Sequence, residues 1–389
     1  MIPFEAFLSL SRRAGLVALI GLAVVAALVT LLGLVAGSLP ARSSAPQPGS
    51  GPLIAFLAPA GGAPANIHLL DPAAPTQAIP VTSSASGVYD FAVSPDGAQI
   101  AFSEYSAEGG IDLRLLDRAT DEISTLVACA PDDCTAPAWS PDGMRLAYER
   151  TPGTAGGANV RPTRVWVLDL SGATPVNAPL FEDEALYTVG PVWSPDGTRL
   201  ASYDLQNSGI LIHDLTGGAD AFLPTLHGST GIFSPDGARL AYLDIVFASE
   251  TAFYTHIRMA DLRTGQITAL SAPDAPVDDA RLLWTPKGTA LVVGRRLMDE
   301  GYTPGHQLYL VAASNGDAKP LAVDPAYATG AFAWEPDGVR LVIQRFPAVA
   351  SPVAGQEARP SLWVLDTTSG QISKLVADAF LPEWAPAFR

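Results

Sequence analysis

From residue 53 to the C-terminus, short apolar runs alternate with turns rich in Gly, Pro, Asp and Ser. The runs are too short for typical helices and alternate apolar with polar positions, which predicts β-strands. One type of run occurs seven times along the chain. Its copies are NIHLLD from Asn66, IDLRLLD from Ile111, RVWVLD from Arg164, ILIHD from Ile210, HIRMAD from His256, QLYLVA from Gln307 and LWVLD from Leu362.

A tight turn written Ser-Pro-Asp-Gly, or a close variant, occurs six times before an apolar run. The copies are VSPDGAQIAF from Val93, WSPDGMRLAY from Trp139, WSPDGTRLAS from Trp193, FSPDGARLAY from Phe233, WTPKGTALVV from Trp284 and WEPDGVRLVI from Trp334. Proline presets φ, aspartate can bond backbone donors within the turn, and glycine accepts the positive φ that restarts a strand. The motif therefore predicts a hairpin turn, and the Arg that follows it in several copies could pair with the turn Asp.

Together these signals define a unit of about fifty residues with four strands, which is typical of a β-propeller. The sequence predicts an all-β fold with seven blades. The first unit starts directly with LIAFLAP at Leu53, and the chain ends with FLPEWAPAFR, in which Trp384 stands where other units place their turn-preceding aromatic. We therefore expect the C-terminal strand to lie innermost in the first blade and to close the ring.

The segment Ala14–Ser38 has no charged residue over 25 positions, enough for a helix to cross a bilayer. Because Arg12 and Arg13 precede it, the positive-inside rule keeps residues 1–13 cytoplasmic and places the rest outside. The predicted organisation is a cytoplasmic tail at 1–13, a transmembrane signal-anchor helix at 14–38, a flexible linker at 39–52 and the propeller at 53–389. The expected location is the cell membrane, with a single span and an extracytoplasmic propeller.

A cleaved secretory signal is the alternative, because Ala36, Gly37 and Ser38 are small residues suited to a signal peptidase. The apolar run is longer than an ordinary signal core, which favours the anchor. Ser11-Arg12-Arg13 also resembles a twin-arginine export signal faintly. Each interpretation places the repeats outside the cytoplasm.

The formal net charge is −16, and without the first 38 residues it is −17. Such a surface repels phosphate backbones, so nucleic acid is not an expected partner. Only Cys129 and Cys134 occur, five positions apart. Outside the cytoplasm such a pair predicts a disulfide that closes one loop, and no flanking His or Cys supplies the further ligands that a zinc site needs.

The repeats resemble TolB-like propellers, whose units read aromatic-Ser-Pro-Asp-Gly, then Ile-Ala-Phe, then a strand ending in Leu-Asp with a Thr-Gly turn. Here that last turn is Asp214-Leu215-Thr216-Gly217 and its counterparts near Asp261 and Asp366. The resemblance implies an extracytoplasmic binding platform, or the propeller that gates a prolyl oligopeptidase-like hydrolase. A membrane segment replaces the helical N-terminal domain of TolB, and no Gly-x-Ser-x-Gly elbow occurs.

Loops between second and third strands, and between blades, should share one end of the ring. We call this the loop end, and the end with the Ser-Pro-Asp-Gly turns the turn end. The longest loops, at 151–163, 246–255, 296–306 and 346–360, lie at the loop end. Unequal loops on a rigid scaffold commonly carry binding sites. The candidate ligand face consists of Glu182, Asp183, Glu184, Tyr187, Tyr254, Asp278, Asp279, Tyr302 and Tyr327.

Catalytic chemistry has only weak signals. Carboxylates are plentiful, so pairs at glycosidase spacing have little specificity. His227 and His306 lie in loops of different units and could contribute to a metal site, but no specific metal, cofactor or catalytic residue is predicted. The sequence therefore favours a non-catalytic, membrane-anchored scaffold for a protein or cell-envelope ligand. The alternative is a hydrolase or lyase that acts on polysaccharide in the channel; a signalling receptor is disfavoured because the tail is too short for a signalling domain.

Overall fold

The computed structural model describes residues 51–153, 162–249, 252–348 and 359–387, and every element in these ranges is a β-strand. The first fourteen are β1 Leu53–Ala58, β2 Asn66–Leu70, β3 Ile79–Pro80, β4 Val88–Val93, β5 Gln99–Tyr105, β6 Ile111–Asp117, β7 Glu122–Val127, β8 Asp133–Trp139, β9 Arg145–Thr151, β10 Arg164–Asp169, β11 Val176–Pro179, β12 Thr188–Trp193, β13 Arg199–Asp204 and β14 Gly209–Asp214. The others are β15 Ala221–Pro224, β16 Ile232–Phe233, β17 Arg239–Phe247, β18 Phe253–Asp261, β19 Ile267–Ala269, β20 Val277–Trp284, β21 Ala290–Leu297, β22 Gln307–Ala312, β23 Ala318–Ala322, β24 Tyr327–Trp334, β25 Arg340–Pro347, β26 Ser361–Asp366, β27 Ile372–Ala377 and β28 Phe380–Ala385.

These strands form an all-β propeller, but the prediction of a seven-bladed propeller is wrong. Five sheets are separate four-stranded blades: β28-β1-β2-β3, β12-β13-β14-β15, β16-β17-β18-β19, β20-β21-β22-β23 and β24-β25-β26-β27. Strands β4 to β11 instead form one eight-stranded sheet. Within it, β4–β7 and β8–β11 pair antiparallel, and a parallel bridge joins β6 to β8.

The fusion has a local cause in the loop before β8. The structure contains the disulfide Cys129–Cys134, with 6.0 Å between the two Cα atoms. In the loop that it closes, the carbonyl of Asp132 accepts a hydrogen bond from the Ile111 backbone N–H at 3.0 Å. Asp133 then pairs with Ile111 as the bridge between the two halves of the sheet. The fifty-residue period does not reveal this contact, because a single loop makes it.

The predicted transmembrane helix at residues 14–38 lies outside the described residues, as do the tail at 1–13 and most of the linker at 39–52. The described ranges contain no helix, and hence none of the length and apolar character that a membrane span requires.

The last strand lies beside the first, as the C-terminal motif predicts. Strand β28 pairs antiparallel with β1, with Trp384 opposite Ile54 and Glu383 opposite Ala55. Because the two ends of the described propeller share one sheet, β1 has no open edge on that side. The first strands of most adjacent sheets contact one another around the central channel: β28 contacts β4 and β24, β8 contacts β4 and β12, and β16 contacts β12 and β20.

The aromatics that precede the turns join neighbouring sheets. The indole N–H of Trp193 donates to the Ala138 carbonyl at 2.9 Å, and the indole N–H of Trp384 donates to the Ala333 carbonyl at 3.1 Å. Trp139 and Trp284 make the same kind of bond to Ala92 and Ile232. These side chains are buried, so each fills the space between two sheets and satisfies its polar atom there.

Three recurrent arginines, Arg145, Arg199 and Arg239, donate hydrogen bonds to the next sheet, whereas Arg340 bonds the Glu335 carboxylate of its own turn. Arg145 Nη2 donates to the Gly197 carbonyl at 2.8 Å, and its guanidinium lies 4.7 Å from the centre of the Trp193 ring. Its distance to Asp142 is 3.8 Å, too long for a hydrogen bond. Arg199 and Arg239 repeat the pattern on Gly237 and Gly288. These three arginines therefore strengthen contacts between sheets.

Candidate binding site at the loop end of the channel

The first group of candidate residues lies in the loop between β11 and β12. Glu182, Asp183 and Glu184 are exposed, and Tyr187 is half-buried. The Asp183 carboxylate accepts the Ala185 backbone N–H at 2.9 Å, which fixes a turn within the loop. No described contact links this group to the candidates on later blades.

Asp278 is the centre of a polar network between β18, β20 and the loop after β21. Its carboxylate lies 2.9 Å from Arg296 Nη2 and 3.3 Å from His306 Nε2, and it accepts the Thr255 backbone N–H at 3.3 Å. The contact with the His306 ring is the main reason that the pKa of Asp278 falls to about 2. His227 is also close enough for the Asp278 charge to influence its pKa, although burial lowers that pKa overall.

The remaining candidates do not gather around this network. Asp279 is buried and forms a two-bond ion pair with Arg295, at 2.6 and 2.9 Å, so it stabilises the fold. Tyr302 is exposed in the loop after β21, and Tyr327 packs edge-on against Trp363, with 5.3 Å between ring centres. Tyr254 is nearer to Asp278, because its neighbour Thr255 donates to that carboxylate.

A cavity of about 290 Å³ lies toward the loop end, between β20, β24, β25 and β28. We call it the Arg281 cavity. It combines hydrogen-bonding groups with an apolar wall, and its lining residues are Ala280, Arg281, Gly294, His306, Thr329, Gly330, Ala331, Gln344, Phe346 and Leu381. A Cβ atom on Gly330 would lie 2.7 Å from the Phe346 ring, which is closer than real Cβ contacts. Glycine at this position therefore allows the Phe346 ring to form part of the cavity wall.

Arg281 is the main charged group of this cavity. It occupies a bulge in the innermost strand β20, with φ of +48°, and its side chain is exposed. In the described part of the chain, no carboxylate forms an ion pair with it. The surrounding protein lowers the pKa of the guanidinium without any compensating charge. Because an arginine keeps its proton in proteins, Arg281 presents a cation to the channel.

Gln344 adds a second donor. Its side-chain oxygen accepts the Leu381 backbone N–H at 3.0 Å, and the residue is 7% exposed. Since the oxygen faces Leu381, the amide nitrogen with its two N–H groups is directed away from that bond. Thr329 contributes a hydroxyl to the same lining. The cavity thus offers a guanidinium, an amide N–H and a hydroxyl, and none of the described residues that line it carries a carboxylate.

Carboxylates line a different part of the channel. Glu383 on β28 accepts the Val93 backbone N–H of β4 at 3.2 Å, and burial raises its pKa to about 8 although part of its surface remains accessible. Asp90 accepts the Ala136 N–H at 2.7 Å. Each of these bonds joins two innermost strands around the ring.

Glu149 completes this group. It accepts the Gly190 backbone N–H of β12 at 2.7 Å. Burial raises the pKa of Glu149 and of Asp90, and the charge of Asp90 contributes to the shift of Glu149. The channel therefore has carboxyl groups beside β4, β9 and β28 and a guanidinium beside β20.

Sequence reasoning did not find Arg281, Gln344 or the channel carboxylates. A usable signal exists in the register of the repeats. Five residues before the turn proline, the chain has Asp90, Ala136, Gly190, Thr230, Arg281 and Ala331. The other four residues are small, so the charged residues Asp90 and Arg281 differ from the rest of the repeats at this position. Eight residues after that proline it has Ser103, Glu149, Tyr203, Leu243, Gly294 and Gln344.

Comparisons with known proteins agree with this architecture. No family model and no curated protein matches the chain. An oligogalacturonate lyase from Vibrio parahaemolyticus is similar in structure, with a TM-score of 0.55 at 14% identity over 80% of this chain and 82% of that one.

Two further solved structures are a propeller domain and a TolB. The β-propeller domain of the Trilobed protease from Pyrococcus furiosus has a TM-score of 0.55 at 13% identity, over 74% of this chain and 84% of that one. A putative TolB from Agrobacterium tumefaciens has a TM-score of 0.47 at 20% identity, over 69% and 95%.

The repeat motifs of the chain resemble those of TolB-like propellers, and solved TolB structures are among its structural matches. At these identities the likenesses show the fold alone. The matches include a lyase and protease propellers as well as TolB, so function has to be argued from the site.

Proposed function

We propose that the protein is a non-catalytic binding scaffold, anchored in the membrane by residues 14–38, whose extracytoplasmic propeller binds a protein or cell-envelope ligand at the loop end of its channel. The observation that carries the proposal is the Arg281 cavity, where a cation that no carboxylate of the described residues pairs with lies beside hydrogen-bond donors and an apolar wall. A concave, mostly apolar site with a few convergent polar groups is the usual form of a ligand site.

The arrangement of the channel carboxylates supports binding over catalysis. Raised carboxyl pKa values are typical of general acids, so Glu383, Asp90 and Glu149 are candidates for that catalytic role. Each carboxylate, however, already accepts a backbone N–H from a neighbouring strand. This use gives all three a structural role: Asp90 and Glu383 each join two innermost strands, and Glu149 joins the second strand β9 to the innermost strand β12.

The alternative function, a hydrolase or lyase acting on polysaccharide, is favoured by one specific observation. Glu383 would still carry a proton at neutral pH, because its pKa is about 8, and a protonated carboxyl can act as a general acid. Turnover of polysaccharide substrates by the purified full-length chain, lost in a Glu383→Gln variant that remains folded, would establish this alternative and overturn the proposed function.

Site-specific photo-cross-linking tests the binding proposal in the native membrane. A photoreactive residue replaces Tyr302, which is 58% exposed at the loop end, or Met144, which is 52% exposed at the turn end. The two sites match in exposure and differ in location. We expect a discrete cross-linked partner from position 302 and none from position 144.

Two results would contradict this proposal. Equal cross-linking from both positions would show a surface without a preferred end. A cross-link confined to position 144 would move the site to the Ser-Pro-Asp-Gly turns. The membrane anchor has its own test: a mature N-terminus at Leu39 would show that residues 14–38 are removed.

A further inference from the structure

We propose that the Arg281 cavity binds the C-terminal carboxylate of a peptide that ends in an apolar residue. This inference rests on the proposed function, because it names the ligand chemistry of the same loop-end site. It follows from the donor set, the wall and the charge around the channel.

The donor set favours a carboxylate. Arg281 presents a planar guanidinium that can donate two parallel hydrogen bonds to a carboxylate, the geometry in which arginine binds anions best. The Gln344 amide N–H and the Thr329 hydroxyl line the same cavity. Since no carboxylate of the described chain neutralises Arg281, a carboxylate of a ligand would find the cation available.

The apolar wall indicates what accompanies the carboxylate. Phe346, Leu381 and Ala331 line the cavity next to these donors. A volume of about 290 Å³ is at the low end of the range for ligand pockets. It accommodates one small terminal residue with its side chain. A terminal Leu, Val or Ala residue would place its carboxylate on the guanidinium and its side chain against this wall.

The charge of the molecule argues against a polyanionic sugar chain. Beyond residue 38 the chain carries a formal net charge of −17, and Asp90 and Glu149 lie elsewhere in the channel. A polyuronate, with one carboxylate on every sugar, would meet the negative field of the chain along its whole length. A peptide needs to bring only one negative charge, at its end, and basic residues upstream would be attracted to the net negative charge of the chain.

The test uses the detergent-solubilised full-length chain and two probes, N-acetyl-Ala-Ala-Leu as the free acid and the same peptide as its C-terminal amide. Isothermal titration at neutral pH gives the two dissociation constants. We expect the acid to bind at least about tenfold more tightly than the amide, because a charge-assisted bidentate pair exceeds an ordinary hydrogen bond by that margin.

The variants Arg281→Gln and Arg281→Lys identify the cation. Gln should abolish the preference for the acid, and Lys should retain part of it. Arg263→Gln, at an exposed turn-end position, removes the same charge elsewhere and should leave both constants unchanged. Thermal midpoints of all four proteins verify that they are folded.

Three outcomes would overturn the inference: equal binding of acid and amide, acid binding that survives Arg281→Gln, or saturable Arg281-dependent binding of trigalacturonate without peptide binding. The proposed function has a separate readout. If the partner cross-linked at position 302 is retained in Arg281→Gln, the scaffold role stands and only the carboxylate site is wrong.

Discussion

The two ends of the propeller use polar side chains in opposite ways. At the turn end, Ser94 and Ser194 donate to Asp96 and Asp196 at the same distance, 2.6 Å, and each aspartate then accepts a backbone N–H of its own turn. At the loop end, polar groups such as Arg281 differ from sheet to sheet and are not all paired. Repeated residues maintain backbone geometry, whereas the departures from the repeat create a site.

The same contrast holds within one register position of the second strands. Glu149 and Gln344 each accept an N–H from the innermost strand of the next sheet, while Gly294 has no side chain and leaves space for the Arg281 cavity. Equivalent positions around the ring thus include two side chains that bond the next sheet and one glycine that leaves space for the cavity. This space lies beside Arg281, which is the only positively charged residue among those five positions before a turn proline.

The largest expected effect concerns the scaffold. Deleting residues 381–389 should abolish the cooperative thermal transition or cause oligomerisation, because it removes most of β28 and leaves β1 as an open edge. It also removes the buried Trp384, whose indole bonds the Ala333 carbonyl. Differential scanning calorimetry and size-exclusion chromatography provide the measurements.

Removal of 387–389 alone is the control, since β28 ends at Ala385. This shorter truncation should keep the thermal midpoint within a few degrees of the full chain. If the longer deletion did the same, β28 would not be needed to close the ring.

A smaller loss is expected when one intersheet aromatic is removed. Trp193→Ala should lower the free energy of unfolding by about 3–5 kcal/mol, the usual cost of truncating a buried large aromatic. Trp193 is 8% exposed, bonds the Ala138 carbonyl and carries the Arg145 guanidinium over its ring. Urea unfolding measures the change.

Tyr302→Ala is the matched loop-end variant. Its side chain is 58% exposed, so the free energy of unfolding should change by no more than about 0.5 kcal/mol. Affinity capture of the loop-end partner from the native membrane should nevertheless weaken. The comparison between the two ends fails if Tyr302→Ala is as destabilising as Trp193→Ala.

The Glu383 carboxyl should make stability fall with rising pH. Its pKa is raised from 4.5 to about 8 by burial, so the folded state holds the proton more tightly than the unfolded chain. The contribution of this group is then intact below pH 4.5 and is lost as the pH rises toward about 8. Glu383→Gln, which can still accept the Val93 N–H, should exceed the wild type by a few kcal/mol, on the order of 2–4, at pH 8 and match it near pH 5.

Glu182→Gln makes the same chemical change in an exposed loop and should follow the wild-type pH profile. Urea unfolding at half-unit pH steps resolves the three curves. A Glu383→Gln curve parallel to the wild type throughout would show that the carboxyl is not proton-linked to folding.

Much of the scaffold could be predicted from the sequence because the same turn motif and strand pattern recur in successive repeats. The turn motif and the strand that ends near Asp117 and its counterparts fix the hairpins, and Trp384 places the last strand. Separate blades could not be predicted throughout, because the bridge from Ile111 to Asp133 depends on one loop. In the sequence, no other unit has a pair of cysteines in this loop.

The site was harder to predict because its residues belong to regular strands. Loop position and residue type selected Asp278, which belongs to a polar network near the candidate site. They also selected Asp279, which forms a buried ion pair with Arg295. Arg281 is only two positions further along β20, on a bulge that no local motif announces. Alignment of the repeats against each other would have exposed it as a charge at a small-residue position.

A smaller effect than that of Trp193→Ala is expected from the disulfide. Replacing Cys129 and Cys134 together with Ser should cost at most about 2 kcal/mol, since the loop that the bond closes is short. Other contacts hold the same loop: the Asp112 carboxylate accepts the N–H of Cys129 at 2.7 Å, and Asp132 lies 2.8 Å from Arg150 Nε. Since those bonds remain, the loop should keep its position and the loop-end cross-link should be unchanged. Thiol labelling of the denatured, unreduced protein establishes the starting state, because alkylation of both cysteines there would show that no disulfide forms. A loss well above 2 kcal/mol, with loss of the cross-link, would show instead that the bridge between β6 and β8 supports the loop end, and that the two ends of the propeller are less independent than their side chains indicate.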